Sequence, residues 1–93
     1  MIRSFKGRRT RSIFEGRRVS GLAATIQQRA RRKLRMLDAA VSIEDLRAPP
    51  ANRLEKLRGD RRDQYSIRIN DQWRLCFRWD RGDAYEVEIT DYH

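Results

Sequence analysis

Three runs of alternating apolar and polar residues constrain this chain more than any other feature. Tyr65, Ile67 and Ile69 alternate with Gln64, Ser66, Arg68 and Asn70. Trp73, Leu75, Phe77 and Trp79 alternate with Arg74, Cys76 and Arg78, and Tyr85, Val87 and Ile89 with Glu86, Glu88 and Thr90. A period of two is the signature of a strand with one buried face. The linkers Asn70-Asp71 and Asp80-Arg81-Gly82-Asp83 are turn segments, so the runs read as an antiparallel meander. A shorter run holding Leu54 and Leu57, closed by Gly59-Asp60, precedes them as a first strand.

The N-terminal half has a different period. Leu22, Ile26, Ala30, Leu34, Leu37 and Val41 are spaced by three or four and form the stripe of an amphipathic helix over 21–40, with Ser20 as its N-cap. A short helix over 10–15 carries Ile13 and Phe14 and stops at Gly16, and Ile2–Phe5 reads as a short strand. Ser42-Ile43-Glu44-Asp45-Leu46 suggests one capped helical turn, ended by Pro49-Pro50. The expected fold class is α+β: two N-terminal helices on an antiparallel sheet of four to five strands. With 93 residues the chain is read as a single domain over 1–93.

Charge is unevenly placed. Residues 1–35 carry twelve Lys/Arg against Glu15 alone, whereas residues 36–93 carry ten against twelve acids. A basic third of this kind attracts polyanions, nucleic acid first. Arg29, Arg32 and Lys33 on the long helix are candidates for RNA backbone contact, although a solvated cationic face is an equal reading. Cys76 is the lone cysteine, which excludes an internal disulfide and fits a reducing cytoplasm. No apolar run is long enough for a bilayer, and Met1–Lys6 lacks the apolar core of a signal peptide, so no membrane partner is expected. One His and one Cys make no zinc motif, and no cofactor-binding signature is present.

Alternation places Ser66, Arg68, Arg74, Cys76, Arg78, Glu86, Glu88 and Thr90 on the sheet face turned from the helices. Strand parity adds Tyr92, and Asp91 points the other way if the strand stays regular. Arg78 reads as part of an ion-pair ladder with Glu86 and Glu88. RNA can be cleaved when its 2′-hydroxyl attacks the adjacent phosphate, given a proton acceptor, a proton donor and a cation for the developing charge. Arg74 suits the last role, because a guanidinium fork matches phosphate oxygens. His93, the single histidine, can exchange protons near neutrality. Tyr92 can stack on a base or supply a proton, and Asp91 can orient His93 or accept a proton. Judged by spacing alone, a terminal Asp91-Tyr92-His93 is more readily a solvated tail than an active site.

The segment Tyr65-Ser66-Ile67-Arg68-Ile69-Asn70-Asp71-Gln72-Trp73-Arg74-Leu75-Cys76-Phe77 joins Met1-Ile2-Arg3-Ser4-Phe5, Leu54-x-x-Leu57-x-Gly59-Asp60-Arg61 and the closing Val87-Glu88-Ile89-x-Asp91-Tyr92-His93. Together these resemble the HigB-type toxins of the RelE/ParE superfamily, found in bacterial type II toxin–antitoxin systems. The resemblance implies a RelE-like fold and metal-independent mRNA cleavage in the ribosomal A site. It implies a cytoplasmic setting, with the ribosome (16S rRNA) and mRNA as partners. A HigA-type helix-turn-helix antitoxin would be the cognate inhibitor, and operator DNA would be reached only through it. Arg74, Asp91, Tyr92 and His93 then form the catalytic cluster. Arg68, Arg29, Arg32, Lys33 and Lys56 are the RNA-binding candidates. Some relatives carry a catalytic histidine where this chain has Glu55, a departure that implies either a weaker nuclease or Glu55 as the replacement base. A ParE-like gyrase-inhibiting toxin and a non-catalytic rRNA-binding module are the alternatives.

Overall fold

The computed structural model describes residues 1–61 and 63–91. Helices α1 (Arg8–Phe14), α2 (Ala24–Ala39) and α3 (Ile43–Arg47) precede strands β1 (Glu55–Lys56), β2 (Gln64–Arg68), β3 (Trp73–Asp80) and β4 (Asp83–Asp91). Single 3₁₀ turns at Pro50–Asn52 and Gly59–Arg61 flank β1. Among the described residues, four strands form one antiparallel sheet in the order β1-β2-β3-β4. This is the expected α+β arrangement.

Helices α1 and α2 cover one sheet face. Ile13 of α1 and Ala30, Leu34 and Leu37 of α2 are buried against Ile67, Leu75, Phe77, Val87 and Ile89, as the two periodicities require. Thr10 ties α1 to β4, because its buried Oγ1 accepts the Ile89 N–H at 3.1 Å.

Several boundaries differ from the sequence reading. The long helix begins at Ala24, with Ala23 rather than Ser20 at its N-cap position. The preceding loop is held instead by Gln27, whose amide donates to the Val19 and Leu22 carbonyls and accepts from the Val19 N–H. At the other end the stripe stops one residue short. Ala40 is buried, whereas Val41 is 79% exposed beyond the helix terminus. The first strand is only Glu55–Lys56, and Leu54 and Leu57 flank it.

Residues 1–6 make two isolated parallel bridges to β4, Ile2↔Ala84 and Phe5↔Val87, in place of a regular strand. This strap explains a second departure. The β3–β4 register shifts between Cys76 and Arg78, so that β4 holds one extra residue there. Glu86 lies in this bulge at φ 54, with its N–H bound to Ser4 Oγ at 2.9 Å. The bulge reverses parity upstream of it. Tyr85 therefore pairs with Arg78, whose guanidinium lies 4.8 Å from the ring centroid, and Ala84 fills the core position expected for Tyr85. The turn after β3 puts Arg81 and Gly82 at φ 51 and 84, the backbone of a type I′ hairpin.

Thr10→Val keeps the shape of that side chain but orphans the buried Ile89 N–H. A loss of about 1–3 kcal/mol in urea unfolding at unchanged m-value is expected, with Thr10→Ser near wild type.

Candidate nucleic-acid site

The polar sheet face is built around a row of cross-strand neighbours. Glu55 pairs with Ser66, Ser66 with Cys76, and Cys76 with Glu88. Ser66 and Cys76 have no exposed surface, so two small side chains make a closed floor between two carboxylates. Burial pushes the Cys76 thiol up from its ordinary pKa, which keeps it protonated and inert.

Arg74 lies in the next row, opposite Arg68 on β2 and Thr90 on β4. Its Nε donates to Ser66 Oγ at 2.7 Å, and its Nη2 donates to the Arg53 carbonyl at 2.6 Å and the Ser66 carbonyl at 3.3 Å. Glu55 Oε1 stands 3.9 Å from the same Nη2. Only 11% of the Arg74 side chain is exposed. Three neutral acceptors thus fix the guanidinium plane, Glu55 partly offsets its charge, and Nη1 has no hydrogen bond among the described residues. A guanidinium held this way leaves Nη1 to meet an incoming oxyanion and loses little entropy in doing so.

Glu88, at the far end of the row, was expected only as part of an ion-pair ladder. It accepts from Arg61 Nη2 at 3.3 Å and from Thr90 Oγ1 at 3.0 Å, with Lys6 Nζ at 3.9 Å. Arg61 also donates to Gln64. The face therefore has a second fixed guanidinium, which the sequence reading did not nominate. Arg78 does join such a ladder, with Glu86 at 3.8 Å.

Because β1 spans only two residues, the outer edge of β2 is uncovered at Arg68. There a cleft of about 390 Å³ opens between α2 and the sheet, lined by Arg29, Arg32, Lys33 and Arg68 over Met36 and Ile69. Four of the nominated RNA-binding residues thus converge. Burial, and then the charges of Arg32, Arg68 and Arg29, hold the Lys33 amine below its ordinary pKa. Lys33 Nζ donates to the buried Asn52 Oδ1 at 2.7 Å, and Asn52 is anchored in turn to the Leu46 carbonyl at 3.0 Å. The next residue, Arg53, adopts a left-handed φ of 44 and offers Arg74 its carbonyl. One short segment therefore links the cleft to Arg74. Arg68 also pairs with Asp71.

Other nominated residues are not gathered here. Lys56 is exposed, pairs with Tyr65 and lies on the opposite parity from Glu55, beside a depression it shares with Leu57, Arg58 and Gly59. Beyond its bulge strand β4 stays regular to Asp91, which pairs with Trp73 and so takes the parity opposite to Arg74. Gln72 Nε2 donates to Asp91 Oδ2 at 3.0 Å. Tyr92 and His93 lie outside the described residues. Among the described residues, no three His, Cys, Asp or Glu side chains are grouped to hold a metal ion. No helix there is long and apolar enough to cross a membrane.

Residues 3–93 match the family described as the RelE-like toxin of type II toxin–antitoxin system HigB. The chain is 36% identical over 93 residues, the full length of both proteins, to Endoribonuclease HigB of Proteus vulgaris. It is 41% identical over 71 residues to Toxin HigB-1 of Vibrio cholerae serotype O1, covering 76% of this chain and 75% of that one. A Haemophilus influenzae protein of uncharacterised function is 39% identical over 61 residues, 66% of this chain and 60% of that one. A family match over nearly the whole chain, with relatives aligned along it, places this protein in the RelE-like HigB toxin family of type II toxin–antitoxin systems.

Proposed function

We propose that the protein is a ribosome-dependent endoribonuclease that cleaves mRNA in the A site without metal, in the cytoplasm. A HigA-type helix-turn-helix antitoxin neutralises it, and operator DNA is reached only through that partner. The observation that carries this reading is Arg74, fixed by Ser66 and the Arg53 carbonyl with Nη1 unbonded among the described residues, beside a cleft of four cations.

In this reading the cleft residues Arg29, Arg32, Lys33 and Arg68 hold the RNA backbone, with Lys56 as an outlying contact. The scissile phosphate then lies against Arg74. The 2′-oxygen bonds to phosphorus as its proton passes to a base, and the P–O5′ bond breaks as an acid protonates O5′. Arg74 stabilises the charge that develops on the non-bridging oxygens. Glu55 takes the 2′ proton, a role supported by its position 3.9 Å from Arg74. Tyr92 stacks on a base, and His93 protonates the leaving oxygen with Asp91 orienting it.

Arg74→Ala is expected to lower single-turnover cleavage of ribosome-bound mRNA by about 10²–10³-fold. Arg74→Lys should recover little of this, because an ammonium cannot bond Ser66 Oγ, the Arg53 carbonyl and phosphate in one plane. Circular dichroism separates loss of fold from loss of chemistry. Cleavage by either variant at the wild-type rate contradicts the assignment.

His93→Gln is expected to abolish growth arrest in a protein that still folds, and Glu55→Gln to slow cleavage strongly. Mapping transcript 5′ ends after brief induction should reveal new ends within translated codons. Intact transcripts with DNA-damage signalling favour a gyrase-directed toxin instead, and salt-dependent RNA binding without new ends favours a non-catalytic module.

A further inference from the structure

Arg31 projects from the flank of α2 toward the end of α1. Its Nε is shut off from solvent and, among the described residues, is the one buried side-chain nitrogen or oxygen with no hydrogen-bond partner. Buried donors are nearly always paired, so an orphaned one on a cation marks a place where an acceptor belongs. The guanidinium sits against Gly16, where a Cβ would come within 3.0 Å of Nη2. Gly16 also has φ +86, so its lack of a side chain serves both the turn and the close approach.

Arg31 shares a notch of about 170 Å³ with Arg17, Arg18, Gln27 and Gln28. Three arginines and two amides line it, with no carboxylate. Ala24 of the uncapped first turn of α2 also borders it, which adds the partial positive charge of a helix start. The notch is continuous with the rest of the basic helix. Arg31 and Arg32 border a second depression with Arg35 and Gln28, and Arg32 also lines the cleft beside Arg68. Shared residues thus join notch, depression and cleft into one band along α2.

We infer that the Arg31 notch is an oxyanion site that takes a backbone phosphate of RNA remote from the cleaved bond. Arg31 borders the notch and offers its guanidinium to phosphate oxygens there, its sealed Nε gaining a partner when the side chain turns toward the ligand. The unbroken band to the cleft suits a polymer with a charge on every unit better than an isolated acidic side chain. The RNA assignment rests on the proposed function, but the oxyanion chemistry does not.

The test uses the full-length, nitrogen-15-labelled chain and follows the Arg31 Nε–H resonance. Inorganic phosphate should shift this signal saturably, and a double Arg17→Gln, Arg18→Gln variant should weaken the response severalfold. An RNA oligonucleotide should shift it at much lower concentration, and poly-glutamate of equal charge much less. For Arg31→Gln, RNA binding should weaken by a similar factor for every sequence, and the slope of log K against log salt should fall by about 1. Arg31→Lys should restore the slope but not the full affinity. An Arg31 signal indifferent to phosphate and RNA, or an unchanged slope in Arg31→Gln, overturns the inference. A stronger response to poly-glutamate than to RNA overturns it in favour of an acidic protein partner. Phosphate binding without any RNA cleavage sinks the proposed function and leaves the notch standing, and cleavage without a phosphate response does the reverse.

Discussion

Strand β3 is hydrogen-bonded on both sides, and its pairing with β2 and β4 decides what reaches either face of the sheet. One face receives Leu75 and Phe77, which close the core under α2. The other receives Arg74 and Cys76, which with Ser66 form the floor and the cation of the site. A slip of one residue would exchange the two sets, burying a guanidinium among leucines. The apolar set is therefore what secures the register of the polar set. The site owes its geometry to the core behind it, and Arg74 in turn fastens β3 to the loop at Arg53.

The positive charge has the opposite relation to stability. Arg29, Arg32, Lys33 and Arg68 crowd one cleft, and the depressed pKa of Lys33 reflects burial and their mutual repulsion. Cations collected this way weaken the folded state slightly and reward any polyanion that neutralises them. Lys33 is the exception that joins the two systems, because its amine is bound to the buried amide of Asn52. Asn52 is held by Leu46 and immediately precedes the Arg53 carbonyl. The cleft and the fixed arginine are thus mounted on one rigid support.

The periodicities located the core faces because side-chain burial follows backbone geometry closely. Ser66, Cys76 and Arg74 fell on the correct face for the same reason. Tyr85 did not, because the bulge at Glu86 depends on Ser4, some eighty positions away in the chain. Glu88–Arg61 was missed for want of any local pattern. Arg61 reaches it from a loop, and loop geometry has no period. The left-handed Arg53 and the buried Asn52 are equally silent in sequence, since each takes its meaning from a partner on another element.

Glu55 is where the proposed chemistry of this chain is most closely tied to its cation. A carboxylate 3.9 Å from Arg74 competes with phosphate for the same guanidinium. In the proposed reaction that competition changes as the proton moves. When Glu55 takes the 2′ proton its charge disappears, and at that moment negative charge builds on the oxygens around phosphorus. The pull of Glu55 on Arg74 is then relaxed, and Arg74 is available to the phosphate when its charge is greatest. Interactions that strengthen only as the transition state forms are the ones that raise the rate. A carboxylate at this position thus couples base to cation in the proposed reaction, in which the single histidine of the chain protonates the leaving oxygen.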